Sequence, residues 1–162
     1  MFMRSPVHPT AQFPVWPLWL LAALVGCPSD PPEEHVCGDL TRGMTYVQGL
    51  AVAGDDGVLS ARLREASPAP PDVGDNVWRV ELLDANDAPA AGCTTTLNPF
   101  MPDHGHGASA VPVWTEDAAV IGTYDLTGLD LFMPGLWEIR LEELDCGAAG
   151  SDTVVYRFCA EG

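Results

Sequence analysis

The sequence predicts an all-β protein, an immunoglobulin-like antiparallel β-sandwich of about seven strands. Apolar and polar residues alternate with period two in several short segments, as expected for half-buried strands. Turn residues separate these segments, and the 162 residues include 16 glycines and 15 prolines. No segment shows a sustained helical period. The hydrophobic share of 47% is too high for a disordered chain.

The first two strands form a predicted hairpin around the turn Gly54-Asp55-Asp56-Gly57. The proline-rich stretch 67–75 follows as a connection, because proline cannot pair within a central strand. Later strands are separated by turns at 84–89 and 147–151. Trp78 and Trp137 fall on apolar faces and are predicted core residues. The seven predicted strands are Thr45–Val52, Val58–Arg64, Val77–Leu83, Cys93–Leu97, Ala119–Leu126, Trp137–Leu141 and Thr153–Cys159.

The charge is strongly acidic, with 23 Asp and Glu against 7 basic residues and a net charge of -16. Nucleic acids and anionic lipid headgroups attract basic surfaces, so this composition argues against both as partners.

The N-terminus has the pattern of an export signal. Arg4 precedes an apolar run, Leu18–Val25, that is too short to span a bilayer. Leu24-Val25-Gly26-Cys27 resembles a bacterial lipobox, in which the cysteine is lipidated and becomes the new N-terminus. An ordinary secretory signal cut near Gly26 is the alternative. Residues 1–26 are thus a predicted lipoprotein signal peptide, 27–36 an acidic, proline-rich tether and 37–162 the folded domain.

Lipid on Cys27 would anchor the exported protein to a bacterial membrane without a spanning helix. Pro28 stands where inner-membrane lipoproteins often carry an aspartate, which favours the outer membrane. Four cysteines then remain, enough for two disulfides in an oxidising compartment. Their pairing has three alternatives that the sequence does not distinguish. The four are Cys37, Cys93, Cys146 and Cys159.

The segment Met101-Pro102-Asp103-His104-Gly105-His106 concentrates metal-binding residue types. In extended backbone, residues two apart point to the same face, so both imidazoles could reach one ion. Met101 offers a soft thioether, and Met133 lies in a second Met-Pro turn. Imidazole with thioether suits copper, whereas a classical fourth zinc ligand is missing. The predicted copper ligands are Met101, His104, His106 and Met133.

A structural interpretation of the same segment competes with the metal hypothesis. Pro-Asp-His-Gly is good turn chemistry by itself, and both methionines could cap the core. Asp103 could supply an oxygen ligand or bond to the turn backbone.

No catalytic residues stand out, because no nucleophile elbow or oriented base is present. The sequence therefore predicts a protein that is not an enzyme.

Four short motifs carry a resemblance to a known family. They are Asn76-Val77-Trp78-Arg79-Val80, the Met101–His106 segment, Gly122-Thr123-Tyr124 and Phe132-Met133-Pro134-Gly135-Leu136-Trp137. In this order they resemble the YtkA-like domain family of small exported bacterial proteins, which is related to the FixH group. The resemblance implies a sandwich domain, often in a lipoprotein, and relatives associated with copper handling or oxidase assembly.

The alternative to copper binding is a metal-free accessory module that binds another protein of the cell envelope.

Overall fold

The computed structural model describes residue 37 and residues 41–162. The predicted signal peptide, the lipidation site Cys27 and the tether lie outside these residues. Across the part of the chain that is described, no helix has the length and apolar character needed to cross a membrane.

The regular secondary structure of the described residues consists of nine antiparallel strands and a short 3-10 turn, Gly147–Ala149. In chain order the strands are β1 (Leu50–Ala53), β2 (Leu59–Ser67), β3 (Gly74–Asp84), β4 (Thr94–Met101), β5 (His106–Gly107), β6 (Val113–Glu116), β7 (Thr123–Leu131), β8 (Gly135–Asp145) and β9 (Ser151–Ala160). One sheet has the order β1-β2-β3-β7-β6, and the other has the order β5-β4-β8-β9.

This strand order is the immunoglobulin arrangement. The series β2-β3-β7-β6 corresponds to strands A-B-E-D of that fold, and β5-β4-β8-β9 corresponds to C′-C-F-G. Strand β1 extends the first sheet beyond its usual edge. The predicted all-β sandwich is therefore confirmed.

All seven predicted strands have counterparts, but several boundaries differ. The first begins at Leu50 rather than Thr45, because Gly49 adopts a left-handed turn conformation with φ of 83°. Strand β7 begins at Thr123, because Asp117 accepts the N–H of Ala119 and turns the chain before it. The two additional strands, β5 and β6, have two and four residues, which is too short for a visible alternation.

The core lies between the two sheets, and large aromatic side chains join them. Trp78 and Trp137 are fully buried, as predicted. Trp78, on β3, contacts the rings of Tyr156 and Phe158 on β9, with centroids 5.6 and 5.5 Å away. Edge-to-face pairs of this kind add stability beyond the burial of their area.

Two disulfides form, as the cysteine count predicts, and the structure selects one of the three pairings. Cys93 and Cys146 connect the start of β4 to the end of β8. Cys37 bonds to Cys159 on β9. Further along the same N-terminal segment, the Met44 N–H donates to the carbonyl oxygen of Arg157 at 2.7 Å. The segment that precedes β1 is therefore attached to the edge of the four-stranded sheet.

Candidate metal centre

The segment from Met101 to His106 forms the turn between β4 and β5. The backbone N–H groups of His104 and Gly105 donate to the carbonyl oxygen of Met101 at 3.2 and 2.9 Å. Gly105 has φ of 70°, in the left-handed region that glycine adopts without steric cost. The turn chemistry expected from Pro-Asp-His-Gly is thus present, and it exposes His104 to solvent.

The register of this hairpin brings Met101 and His106 opposite each other. Directly opposed residues in an antiparallel pair share a face, with Cβ atoms about 4.5–5.5 Å apart. Met101 is fully buried and belongs to the hydrophobic core, whereas His106 is half-buried at the end of the sandwich. A thioether therefore lies on the interior side of an accessible imidazole.

The two imidazole rings lie close together. The ring centroids of His104 and His106 are 5.6 Å apart, with 63° between the ring planes. Imidazoles that bind one ion through nitrogens at about 2.0–2.1 Å, at a near-tetrahedral angle, have centroids roughly 5–6 Å apart. The spacing of the pair is therefore compatible with both rings on one ion.

His106 contacts a backbone carbonyl through one of its two ring nitrogens. Its Nδ1 lies 3.3 Å from the carbonyl oxygen of Gly107. Because a carbonyl oxygen only accepts, Nδ1 must carry the proton for this hydrogen bond to form. The lone pair of Nε2 is then free, in the arrangement by which backbone carbonyls orient many histidine ligands.

The second Met-Pro turn meets the first one. Phe132, which follows β7, stacks on His106 with centroids 5.6 Å apart and 22° between the planes. The Trp137 Nε1–H donates to the carbonyl oxygen of Met133 at 3.0 Å, and the Met133 side chain packs against the core. Both Met-Pro turns therefore lie at the same end of the sandwich.

Asp103 forms an ion pair with a residue outside the hairpin. The guanidinium of Arg42 donates to both carboxylate oxygens, at 2.9 and 2.6 Å. These hydrogen bonds are the main reason why the pKa of Asp103 lies below its usual value, and the charges of Arg42 and His104 lower it further. The sequence left the role of Asp103 open and did not indicate Arg42, which is 61 positions away.

The available donors limit which metal would fit. Among residues 37 and 41–162, no group of three or more His, Cys, Asp or Glu side chains is placed to hold a metal ion. The four described cysteines are occupied by the two disulfides. An ion bound here would need methionine sulfur in addition to two imidazoles, and thioether is a ligand that favours Cu(I).

Comparisons of the chain with family models, with curated proteins and with solved structures found no match. The resemblance to the YtkA-like family therefore stays a prediction.

Two residues of this region were not assigned to the site from the sequence. Phe132 is visible only as part of a family motif, and Arg42 gives no local signal because its contact is long-range.

Proposed function

We propose that this chain is a lipid-anchored, non-enzymatic protein of the bacterial cell envelope that binds Cu(I) at one end of its sandwich. In this proposal the protein handles copper or serves oxidase assembly, as expected for a YtkA-like protein. The observation that carries the proposal is the pair of imidazole rings, 5.6 Å apart, in the first Met-Pro turn, where Phe132 of the second turn stacks on His106. The proposed ligands are Met101, His104, His106 and Met133.

The four ligands have different roles in this proposal. His104 is exposed and would meet the incoming ion first, while His106 is already oriented by the Gly107 carbonyl. The methionines would supply thioethers from the interior side, and their flexible side chains allow small adjustments. Phe132 covers one face of His106 and would limit the access of water to the ion.

Export to an oxidising compartment is consistent with the two disulfides. The predicted lipid on Cys27 would hold the domain at the membrane, and Pro28 favours the outer membrane. The tether 27–36 would separate the sandwich from the lipid surface.

A Cu(I) competition titration against a coloured chelator tests the proposal. The protein is the chain from Pro28 onward with its disulfides intact, since residues 37–162 contain all the described strands and the core. We expect one Cu(I) per chain for the parent and none for the double variant His104→Ala/His106→Ala. Met133→Leu preserves shape but removes the sulfur, and we expect binding about tenfold weaker, or about 1.4 kcal/mol.

Near-ultraviolet circular dichroism of each variant controls for folding. If the folded parent binds no Cu(I), the copper proposal is wrong. If Met133→Leu binds as tightly as the parent, Met133 is not a ligand.

A metal-free binding module is the second candidate, and an exposed apolar edge favours it. Strand β6 is the last strand of its sheet. Around it, Val111, Val113 and Ile121 expose 86%, 54% and 70% of their surface. An unpaired strand edge with apolar side chains can receive a strand from another protein. Failure of Cu(I) binding would favour this function.

A further inference from the structure

Arg42 and Asp103 form a two-point contact next to the proposed ligand His104. Asp103 directly precedes His104, and both residues are exposed in the turn between β4 and β5. Yet both carboxylate oxygens are directed to the guanidinium of Arg42. The hairpin thus has a carboxylate next in sequence to one of the two imidazoles, and Arg42, from outside the hairpin, holds that carboxylate.

We propose that Arg42 withholds the Asp103 carboxylate from a metal held by His104 and His106, and thereby disfavours Zn(II). This inference rests on the proposed function for the identity of the two histidine ligands. Arg42 is here a residue that determines specificity by positioning another side chain, and it does not itself contact the metal.

The donor chemistry explains the direction of the effect. Two imidazoles and a carboxylate form a ligand set that binds Zn(II) well. Without the carboxylate, two imidazoles and the methionine thioethers form a softer set that favours Cu(I). A planar guanidinium matches a carboxylate in two-point contact better than an ammonium does, so arginine is well suited to occupy both oxygens.

The size of the effect follows from the exposure of the pair. The side chains of Arg42 and Asp103 are 52% and 45% exposed, and exposed ion pairs are individually weak. We therefore expect Arg42→Ala to tighten Zn(II) binding by about fivefold rather than by orders of magnitude. Cu(I) binding should change by less than about twofold, because carboxylate oxygen is a poor ligand for that ion.

A double-mutant cycle tests this inference with Zn(II) itself and a fluorescent zinc indicator as competitor. The proteins are the chain from Pro28 onward as parent, Arg42→Ala, Asp103→Asn and the double variant. Ionic strength of about 0.15 M screens general charge effects. Arg64→Ala is the matched control, because Arg64 is similarly exposed, at 46%, and pairs with Glu81. Both residues lie in the five-stranded sheet, which does not contain the β4–β5 hairpin.

The expected result is tighter Zn(II) binding in Arg42→Ala, no gain in Arg64→Ala and no gain from Arg42→Ala when residue 103 is asparagine. Unchanged Zn(II) binding in Arg42→Ala would overturn the inference. So would a gain that persists with asparagine at position 103, since the lost charge alone would then explain it. The zinc measurements decide this question even if the parent fails to bind Cu(I), so the two proposals fail separately.

Discussion

Two buried tyrosine side chains, Tyr124 and Tyr156, differ in whether their hydroxyl groups have hydrogen-bond partners. The hydroxyl of Tyr124 donates to the carbonyl oxygen of Ala90 at 3.0 Å and accepts the N–H of Cys93 at 2.9 Å. It thereby holds the connection between β3 and β4 against β7. The hydroxyl of Tyr156 is buried and has no hydrogen-bond partner among the described residues.

Replacing each tyrosine by phenylalanine should therefore change the free energy of unfolding differently. Tyr124→Phe leaves a buried N–H and a buried carbonyl without their partner, which should lower the free energy of unfolding by about 1–3 kcal/mol. Tyr156→Phe removes a polar group that was desolvated without compensation, so stability should stay equal or rise by up to about 1 kcal/mol. Urea denaturation with unchanged slope measures both. A larger loss in Tyr156→Phe than in Tyr124→Phe would contradict this account.

At the scale of elements, Asp152 connects the two sheets. This residue near the start of β9 is only 6% exposed. Its carboxylate accepts backbone N–H groups of Asp56 and Val58, in the turn between β1 and β2, and of Leu59, the first residue of β2, at 3.0, 2.8 and 3.0 Å. It also accepts the N–H of Thr153 at 2.8 Å. A turn of one sheet is thereby fastened to a strand of the other.

Asp152 should make stability depend on pH in the acid range. Burial raises the pKa of Asp152, but the four N–H donors together outweigh burial, so the pKa lies below its ordinary value of 3.8. A lowered folded pKa means that the contribution is complete above the unfolded pKa and is lost as pH falls through the folded pKa. Asp152→Asn should cost about 1–3 kcal/mol at pH 7, and its difference from the parent should shrink below about pH 4.

Urea denaturation of both proteins at pH 7, 4 and 2.5 measures that difference. Asp55→Asn is the control, because it removes an equal charge from an exposed position in the same turn. A difference between parent and Asp152→Asn that stays constant down to pH 2.5 would show that protonation of this carboxylate does not weaken the connection.

The elements also show which features the sequence could predict. Alternation located seven of the nine described strands, and Gly54-Asp55-Asp56-Gly57 located the first hairpin, since both signals are local. Asp152 gave no signal, because its contacts with that turn span 93 to 96 positions. The candidate site follows the same rule. His104 and His106 are neighbours in sequence and were predicted together, whereas the contribution of Arg42 arises from folding.

At the scale of the whole molecule, the sequence predicted a sandwich but not the choice of disulfides. Period-two alternation indicates that strands have a buried face, whatever their neighbours are. The pairing of cysteines depends on which strands become adjacent, and Cys93 meets Cys146 because β4 pairs with β8. The number of disulfides was therefore predictable from composition, while their connectivity required the topology.

The two disulfides should account for much of the stability of the domain. They close segments separated by 122 and 53 positions, and loop-closure entropy then gives about 5 and about 4 kcal/mol. Domains of this size have total stabilities of about 5–15 kcal/mol. We expect each double variant, Cys37→Ala/Cys159→Ala or Cys93→Ala/Cys146→Ala, to remain folded. Each should lose about 3–5 kcal/mol of its free energy of unfolding. The variant in which all four cysteines are replaced should be largely unfolded at 37 °C.

Urea denaturation of these variants, with and without reducing agent, measures the contributions separately. Reduction of the parent should reproduce the loss seen in the variant without the four cysteines, and reducing agent should not affect that variant. If reduction of the parent changes the free energy of unfolding by less than about 1 kcal/mol, the sandwich is held by its core alone. The loss of the Cys37–Cys159 bond should also free the segment that carries Arg42, because this bond and the Met44 hydrogen bond attach that segment to β9.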